Sequence, residues 1–324
     1  MIRLGIFICG ALLAFVGCGG AGAGSDRPNE EASLLLDFTP NGVHARIYLA
    51  TARGYDDAEG VQLDVQAPGA STDALRLLQA GRVDMALLDI HDLALAREQG
   101  RDIVGVMALV QRPLAAVLAQ PGIKRPRDLD GKRAGVTGLP SDVAVLRSVV
   151  EGDGGDPDSV KTTTIGFQAV KALLARRVDA ATAFWNVEGV ALKTQRPGIK
   201  EFRVDDYGAP AYPELVLCVT RQTLDEKRPV VRATIRALQR GYREAQNDPG
   251  SAVSALTAAD PDLDRAAADA QLDAVAPSFT AGARVYGELR DDVLEQWADW
   301  DLKFGIVKRP IDAAAAFDTR LAAP

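Results

Sequence analysis

The chain has 324 residues, enough for two domains of common size, and its 47% apolar and 25% charged residues are typical of a globular protein with a substantial core. Its formal net charge of −7 argues against binding to nucleic-acid phosphates. The two histidines and three cysteines have no spacing typical of a zinc site or a disulfide framework, so we expect neither a metal nor a cofactor.

The first segment, 1–17, is typical of a lipoprotein signal peptide. Arg3 precedes an apolar run over 4–16 that is too short to span a bilayer as a helix. The run ends at Gly17 and Cys18, which resemble the lipobox of bacterial lipoproteins and imply cleavage before Cys18 and its acylation. Plain secretion is the alternative. Gly, Ala and Ser residues dominate the start of segment 18–33, which we predict to be a flexible tether. We therefore expect a soluble folded domain that is anchored at the extracytoplasmic face of the cell membrane.

From residue 34 onward, short apolar runs alternate with helical patterns, which predicts an α/β fold with a mainly parallel sheet. The first run predicts strands over 34–36, 61–65, 83–88 and 103–110, and helices over 44–53, 72–80 and 91–99. A second run of the same kind predicts strands over 132–136, 161–165 and 180–185, and helices over 141–151 and 167–176.

Apolar strands over 114–119 and 215–220 flank the second run, which indicates one lobe inserted into another. We therefore predict lobe I over 34–117 and 218–324, and lobe II over 118–217, joined by a two-strand hinge near 115–119 and 215–219. The last part of lobe I is predicted to be helical over 230–246, 262–274, 282–304 and 311–321.

Four loops that follow predicted strands carry most of the candidate binding residues. Ligands of open α/β sheets lie beyond the carboxyl ends of the strands, and these loops, at 37–44, 89–92, 137–142 and 184–189, come two from each lobe. They carry aromatic, carboxylate, amide and hydroxyl groups without Arg or Lys, which suits a flat, uncharged or cationic ring rich in donors. The candidate ligand-binding residues are Asp37, Phe38, Asn41, His44, Asp89, Ser141, Trp185, Glu188 and Tyr212.

Several of these residues also have a purely structural interpretation. Asp37 and Ser141 could cap turns or helices, and His44 could be a surface residue of its helix. We expect His91 at the start of a helix and not at the ligand, and Cys218 as a buried, inert thiol. The chain has no nucleophile elbow and no phosphate-binding loop, so we expect a protein that is not an enzyme.

The same loops carry a resemblance to a known family. Residues 36–41, LDFTPN, resemble the L-D-W-x-P-N opening of substrate-binding proteins of ABC importers in the NMT1/THI5-like and SsuA-like group, which is related to thiamine-pyrimidine synthesis. Residues 53–55 and 59–61 resemble its K-G-Y and E-G-L steps, and 138–142 its G-x-P-S-E loop. Residues 185–189 resemble its W-x-x-E-G loop with one or two extra residues, and Phe38 replaces the usual Trp.

The resemblance implies a bilobal periplasmic binding fold and ligand contacts at Asp37, Phe38, Asn41, Ser141 and Glu188. It implies a lipid-anchored, monomeric binding protein for a thiamine pyrimidine precursor of the hydroxymethylpyrimidine or formylaminopyrimidine type, with an ABC permease and ATPase as partners. A riboflavin-like or sulfonate/nitrate-binding protein of the same fold is the alternative. Two alternatives of other classes, a sensor domain and a pyrimidine synthase, are disfavoured. The signal peptide argues against the synthase, and so does Cys218, a single cysteine in a stretch where that enzyme carries several.

Overall fold

The computed structural model describes residues 29–69 and 73–323. The predicted signal peptide, the lipidation site at Cys18 and most of the predicted tether therefore lie outside the described residues. The strands are β1 (Glu30–Leu35), β2 (Val61–Gln66), β3 (Met85–Asp89), β4 (Ile103–Ala108), β5 (Ala115–Ala119), β6 (Arg133–Val136), β7 (Lys161–Thr164), β8 (Ala180–Phe184), β9 (Lys200–Arg203) and β10 (Leu215–Thr220).

These strands form two five-stranded sheets, one in each lobe. The order is β2-β1-β3-β10-β4 in lobe I and β7-β6-β8-β5-β9 in lobe II. Each sheet has a parallel part, and in each sheet one strand, β10 or β5, runs antiparallel to both of its neighbours. The sheets are thus mixed rather than mainly parallel, because each lobe receives a strand that enters from the connection between the lobes.

Helices cover the faces of both sheets and enclose apolar cores. They are α1 (Ala45–Ala52), α2 (Tyr55–Ala58), α3 (Asp73–Gln79), α4 (Ile90–Glu98), α5 (Pro140–Gly152), α6 (Ala169–Leu174), α7 (Val190–Gln195), α8 (Arg221–Asn247), α9 (Pro249–Ala259), α10 (Arg265–Val275), α11 (Asp291–Lys303) and α12 (Ala313–Ala316). In the part of the chain that the structure describes, none of them combines the length and the apolar character that crossing a membrane requires.

The first strand starts earlier than predicted. β1 begins at Glu30, which pairs with Val61, so the last residues of the predicted tether belong to the lobe I sheet. Ala32 is buried, and the Ser33 hydroxyl donates to Asp84 Oδ2 at 3.0 Å. A short polar segment was sufficient for a strand here because its backbone pairs with β2 and Ala32 packs into the core.

The chain changes lobes outside the two predicted hinge strands. Among the described pairings, β5 pairs with β8 and β9 in lobe II, and β10 pairs with β3 and β4 in lobe I. The predicted boundaries at 117/118 and 217/218 therefore fall inside strands that each belong to one sheet. The connections are the segments 109–114 and 208–214.

Three of the C-terminal predictions differ from the structure. The helix predicted over 282–304 is limited to α11, because Gly282 and Gly287 adopt left-handed backbone angles with φ of 72° and 89°. The helix predicted over 311–321 is limited to α12, because Phe317, directly after it, has an extended backbone and forms a bridge to Gly105 of β4. α8 begins before the predicted helix over 230–246 and kinks at Lys227, just before Pro229.

Candidate ligand-binding site

A cavity of about 130 Å³ lies between the two lobes. All four of the predicted loops contribute to its wall, together with residues from neighbouring elements. Six of the nine predicted binding residues line it: Asp37, Phe38, Asn41, Asp89, Ser141 and Glu188. His44, Trp185 and Tyr212 do not.

The loop after β1 holds Asp37 through His44. The Asn41 side chain accepts from the backbone N–H of Val43 at 3.0 Å and so starts the helical turn that carries His44. The Asn41 N–H donates to His44 Nδ1 at 3.2 Å, which leaves the proton of the neutral imidazole on Nε2, 2.9 Å from Asp37 Oδ1. His44 is fully buried behind Asp37, so it orients the carboxylate and does not line the cavity.

The loop after β6 supplies a hydrogen-bonded carboxyl group. Asp142 Oδ2 accepts from the Thr137 N–H at 2.6 Å and from the Thr137 hydroxyl. Burial raises the pKa of Asp142, against the lowering effect of these hydrogen bonds. Helix α5 starts at Pro140, so Ser141 lies in its first turn and is not its N-cap. Its side chain contributes to the cavity wall instead.

The loop after β8 is a π-helical turn over Trp185–Gly189, a widened turn of a kind often found at functional sites. It turns Trp185 away from the cavity into lobe II, where its Nε1 donates to the Pro113 carbonyl at 3.0 Å and the Arg203 guanidinium lies 3.8 Å from the ring centroid. Trp185, which was expected to contact the ligand, therefore does not line the cavity in this structure. Glu188 from the same turn does line the cavity.

Asn186 is a cavity residue that the sequence interpretation missed. Its side chain is fully buried, and within the described residues neither Nδ2 nor Oδ1 has a hydrogen-bond partner. A buried amide without partners is unfavourable by about 1–3 kcal/mol per group, unless a bound molecule supplies them. The only indication of Asn186 in the sequence was its position in the candidate loop 184–189, two residues before Glu188.

The cavity wall is rich in carboxyl groups. Asp37, Asp89, Asp92, Asp142 and Glu188 line it, and no Lys, Arg or His does so among the described residues. Burial raises the pKa of Glu188, and the Asp142 carboxyl adds to this, while backbone hydrogen bonds oppose it. Burial also raises the pKa values of Asp89 and Asp92. Such a wall attracts hydrogen-bond donors and cations and repels anions.

Two aromatic rings from opposite lobes meet at the cavity. Phe38 follows β1 in lobe I and Phe167 follows β7 in lobe II, and their ring centroids lie 6.1 Å apart at an interplanar angle of 43°. Phe167 is 47% exposed and is another cavity residue that was not among the predicted binding residues. Phe167 and Phe184 thus supply the aromatic contribution of lobe II that was expected from Trp185.

Tyr212 lies in a separate buried cluster around His91. Its hydroxyl is 3.2 Å from His91 Nε2, and His91 Nδ1 is 2.8 Å from Asp301 Oδ1. Burial by itself would lower the pKa of His91, but the carboxyl groups of Asp301, Asp89 and Glu214 raise it to about 10. As expected, His91 lies in the first turn of its helix, where Asp89 Oδ1 accepts from its N–H at 2.8 Å.

Sequence comparisons relate the chain to one family and to proteins whose names refer to pyrimidines. The family described as NMT1/THI5 like matches residues 41–252. The formylaminopyrimidine-binding protein of Halalkalibacterium halodurans is 33% identical over 249 residues, which cover 76% of each chain. The 4-amino-5-hydroxymethyl-2-methylpyrimidine phosphate synthase of Legionella pneumophila is 26% identical over 241 residues, 71% of this chain and 74% of that protein.

Structure comparisons confirm the predicted bilobal periplasmic binding fold. The alkanesulfonate-binding protein SsuA from Xanthomonas axonopodis pv. citri superimposes with a TM-score of 0.71 at 16% identity, over 90% of this chain and 99% of that one. The periplasmic nitrate-binding protein NrtA from Synechocystis has a TM-score of 0.67 at 11% identity, over 90% and 87%. At these identities the likeness concerns the fold alone.

Proposed function

The chain belongs to the NMT1/THI5-like family, and we propose that it is an extracytoplasmic substrate-binding protein for a thiamine pyrimidine precursor of the formylaminopyrimidine type. The observation that carries the proposal is the small cavity between the lobes, whose described wall has five carboxyl groups and no cation. The relative of that name from H. halodurans supports the choice of ligand.

The size of the cavity favours a single aromatic ring. A protein cavity of roughly 150 Å³ lined by apolar side chains accommodates benzene. The 130 Å³ between the lobes therefore suits one six-membered ring with short substituents. A three-ring flavin would require the lobes to move apart, which disfavours the riboflavin-like alternative.

The charge of the cavity disfavours small anions. Sulfonate or nitrate recognition calls for cationic side chains or several convergent N–H donors. The described wall instead carries carboxyl groups from both lobes, including Asp37 and Glu188. The sulfonate- and nitrate-binding proteins with the same fold thus indicate the scaffold and not the ligand.

Glu188 has the chemistry to pair with an aminopyrimidine. The ring presents an exocyclic amine, which donates, beside a ring nitrogen, which accepts. A carboxyl group that holds one proton matches this edge with one donor and one acceptor. Burial raises the pKa of Glu188 and so favours sharing one proton between the carboxyl group and the ring nitrogen.

Asn186 supports a formylamino substituent over a hydroxymethyl one. Its Oδ1 and Nδ2 are both buried without partners in the described part of the chain. A formylamino group carries an N–H donor and a carbonyl acceptor, so one substituent satisfies both atoms. A hydroxyl group also donates and accepts, but through a single oxygen atom, so it pairs with both amide atoms only where they converge on that one atom.

Binding without turnover is the function that this cavity supports. The family also contains proteins named as synthases, such as the one from L. pneumophila. In the described cavity wall there is neither a histidine nor a cysteine, His44 is held behind Asp37, and Cys218 is buried inside β10. A carrier needs only to enclose the pyrimidine and release it.

The ligand preference is tested by isothermal titration calorimetry of the purified chain. We expect one-to-one binding of formylaminopyrimidine and hydroxymethylpyrimidine, tighter for the formylamino compound, and no heat from riboflavin or an alkanesulfonate. Asn186→Leu, of similar volume, should weaken formylaminopyrimidine binding by roughly tenfold to a hundredfold and hydroxymethylpyrimidine binding less. Binding of the sulfonate alone would overturn the proposal.

The shared proton is tested by the pH dependence of the dissociation constant. The complex retains one proton that both free partners lose as the pH rises, so the wild-type Kd should increase about tenfold per pH unit above their pKa values. Glu188→Gln always presents one donor and one acceptor, so its Kd should stay nearly constant over the same range. The same slope in both proteins would exclude Glu188 as the pairing group.

Transport and anchoring are further parts of the proposal. We place the protein at the extracytoplasmic face of the cell membrane as a monomer that delivers its ligand to an ABC permease and ATPase. Cys18, outside the described residues, would carry the lipid. Mass spectrometry of the mature protein should find an acylated N-terminal Cys18, and Cys18→Ser should move the protein from the membrane to the soluble fraction. An unmodified N-terminus would contradict the anchor.

A further inference from the structure

A second polar cluster lies next to the ligand cavity, at the point where β3 ends. Asp89 closes β3, and its register partner on the antiparallel strand is Leu215, the first residue of β10. Ile90 N–H donates to the Glu214 carbonyl at 2.9 Å, which continues this pairing by one residue. The sheet register therefore brings Asp89, His91 and Glu214 together, and one potential metal-ligand atom from each lies within 4.8 Å of the other two.

Glu214 has one carboxylate oxygen available for a further partner. Its Oε2 accepts from the backbone N–H groups of Leu114 at 2.6 Å and Ala115 at 2.9 Å. Its Oε1 has no hydrogen-bond partner in the part of the chain that the structure describes and lies 4.0 Å from His91 Nε2. The side chain is fully buried, where a carboxylate oxygen without a partner is costly. A cation between Glu214 and His91 would remove this cost.

His91 is oriented in the way that metal-binding histidines are. Its Nδ1 lies 2.8 Å from Asp301 Oδ1 and 3.3 Å from Trp297 Nε1, and its Nε2 faces Glu214 and the Tyr212 hydroxyl. A carboxylate on one imidazole nitrogen fixes the ring and makes the other nitrogen a better ligand. Asp301 is fully buried, as this positioning role requires.

The charges around His91 also favour a cation. Asp89, Asp92, Glu214 and Asp301 all interact with this one imidazole. Among the described ion pairs, none of the four carboxyl groups is paired with Lys or Arg. Even with His91 protonated, the cluster has one cationic group against four carboxyl groups, which leaves an excess of acidic groups.

We infer that Asp89, His91 and Glu214 bind a divalent transition-metal ion of the zinc class beside the ligand cavity. A ligand set of one imidazole and two carboxylates suits zinc and its neighbours, whereas Ca²⁺ and Mg²⁺ prefer oxygen ligands alone. Asp89 is half-buried and lines the cavity, which gives the ion a route from solvent. Sequence spacing could not indicate this site because Glu214 is distant along the chain from the other two residues.

The metal site is tested on the full-length protein without any pyrimidine, so its failure is distinguishable from failure of the proposed function. After treatment with a chelator, calorimetric titration with Zn²⁺ should show one site per chain. Asp89→Asn keeps an acceptor for the His91 N–H, and Glu214→Gln keeps an oxygen for Leu114 and Ala115. Each should weaken zinc binding more than tenfold.

Two further variants separate the site from its surroundings. Asp301→Asn should weaken zinc binding about 10–100-fold through the orientation of His91. Asp92→Asn is the comparison variant, because Asp92 lies on α4 and interacts with His91 but is not one of the three ligands, and it should weaken zinc binding less than any of the other three variants. The absence of a one-to-one site, or equal binding by all four variants, would overturn the inference.

Cobalt provides a readout that does not depend on how the variants fold. Co²⁺ bound by the wild-type protein through one imidazole and two carboxylates should show the intense d–d absorption of a low-coordinate site. The weak spectrum of hexaaqua Co²⁺ at saturating protein would contradict it. Circular dichroism of each metal-free variant identifies any loss of zinc binding that comes from unfolding.

Discussion

Carboxyl groups from two separate lobes face one small, partly desolvated cavity, and this constraint governs what the protein can bind. Asp37 and Asp89 come from lobe I, and Asp142 and Glu188 come from lobe II. Bringing like charges together in a low-dielectric space is unfavourable unless some of them hold protons or face donors. A ligand that brings N–H groups and shares a proton lowers this cost, so ligand binding and lobe closure favour each other.

The connections between the lobes are positioned by the same region of the structure. Glu214, in the second connection, accepts from Leu114 and Ala115 at the end of the first. Arg112 Nε, also in the first connection, donates to Asp205 Oδ2 at 2.7 Å, next to the start of the second. The two crossings are therefore held side by side, and a hinge motion of the lobes would rotate about this pair. The cluster around His91 lies between this hinge and the cavity, so a metal ion there would be close to both.

Much of the fold follows from hydrophobic periodicity in the sequence. Alternating strand and helix patterns predicted β10 with its correct bounds and most of the other strands, and the rule that ligands bind beyond strand ends located all four cavity loops. The C-terminal helices were overextended because apolar spacing continues through Gly282 and Gly287, whose left-handed backbone angles end the regular structure. The predicted boundaries of lobe II fall inside β5 and β10, because an apolar strand alone does not indicate which sheet it joins.

The site was harder to predict at the level of side chains. A loop position does not define a side-chain direction, and the π-helical turn buries Trp185 while it presents Asn186 and Glu188 to the cavity. His44 was predicted to contact the ligand or to lie on the surface of its helix, but it is buried and hydrogen-bonds to Asp37. Tyr212 belongs to the His91 cluster, which depends on sheet register and is not visible in any local motif.

A crystal structure of the protein with formylaminopyrimidine tests the central claim most directly. We expect the ring between the lobes, its aminopyrimidine edge on Glu188, its face against Phe38 and its formylamino group on Asn186. A ligand bound outside this cavity, or inside it with no carboxyl group on the amine edge, would overturn the proposed binding site.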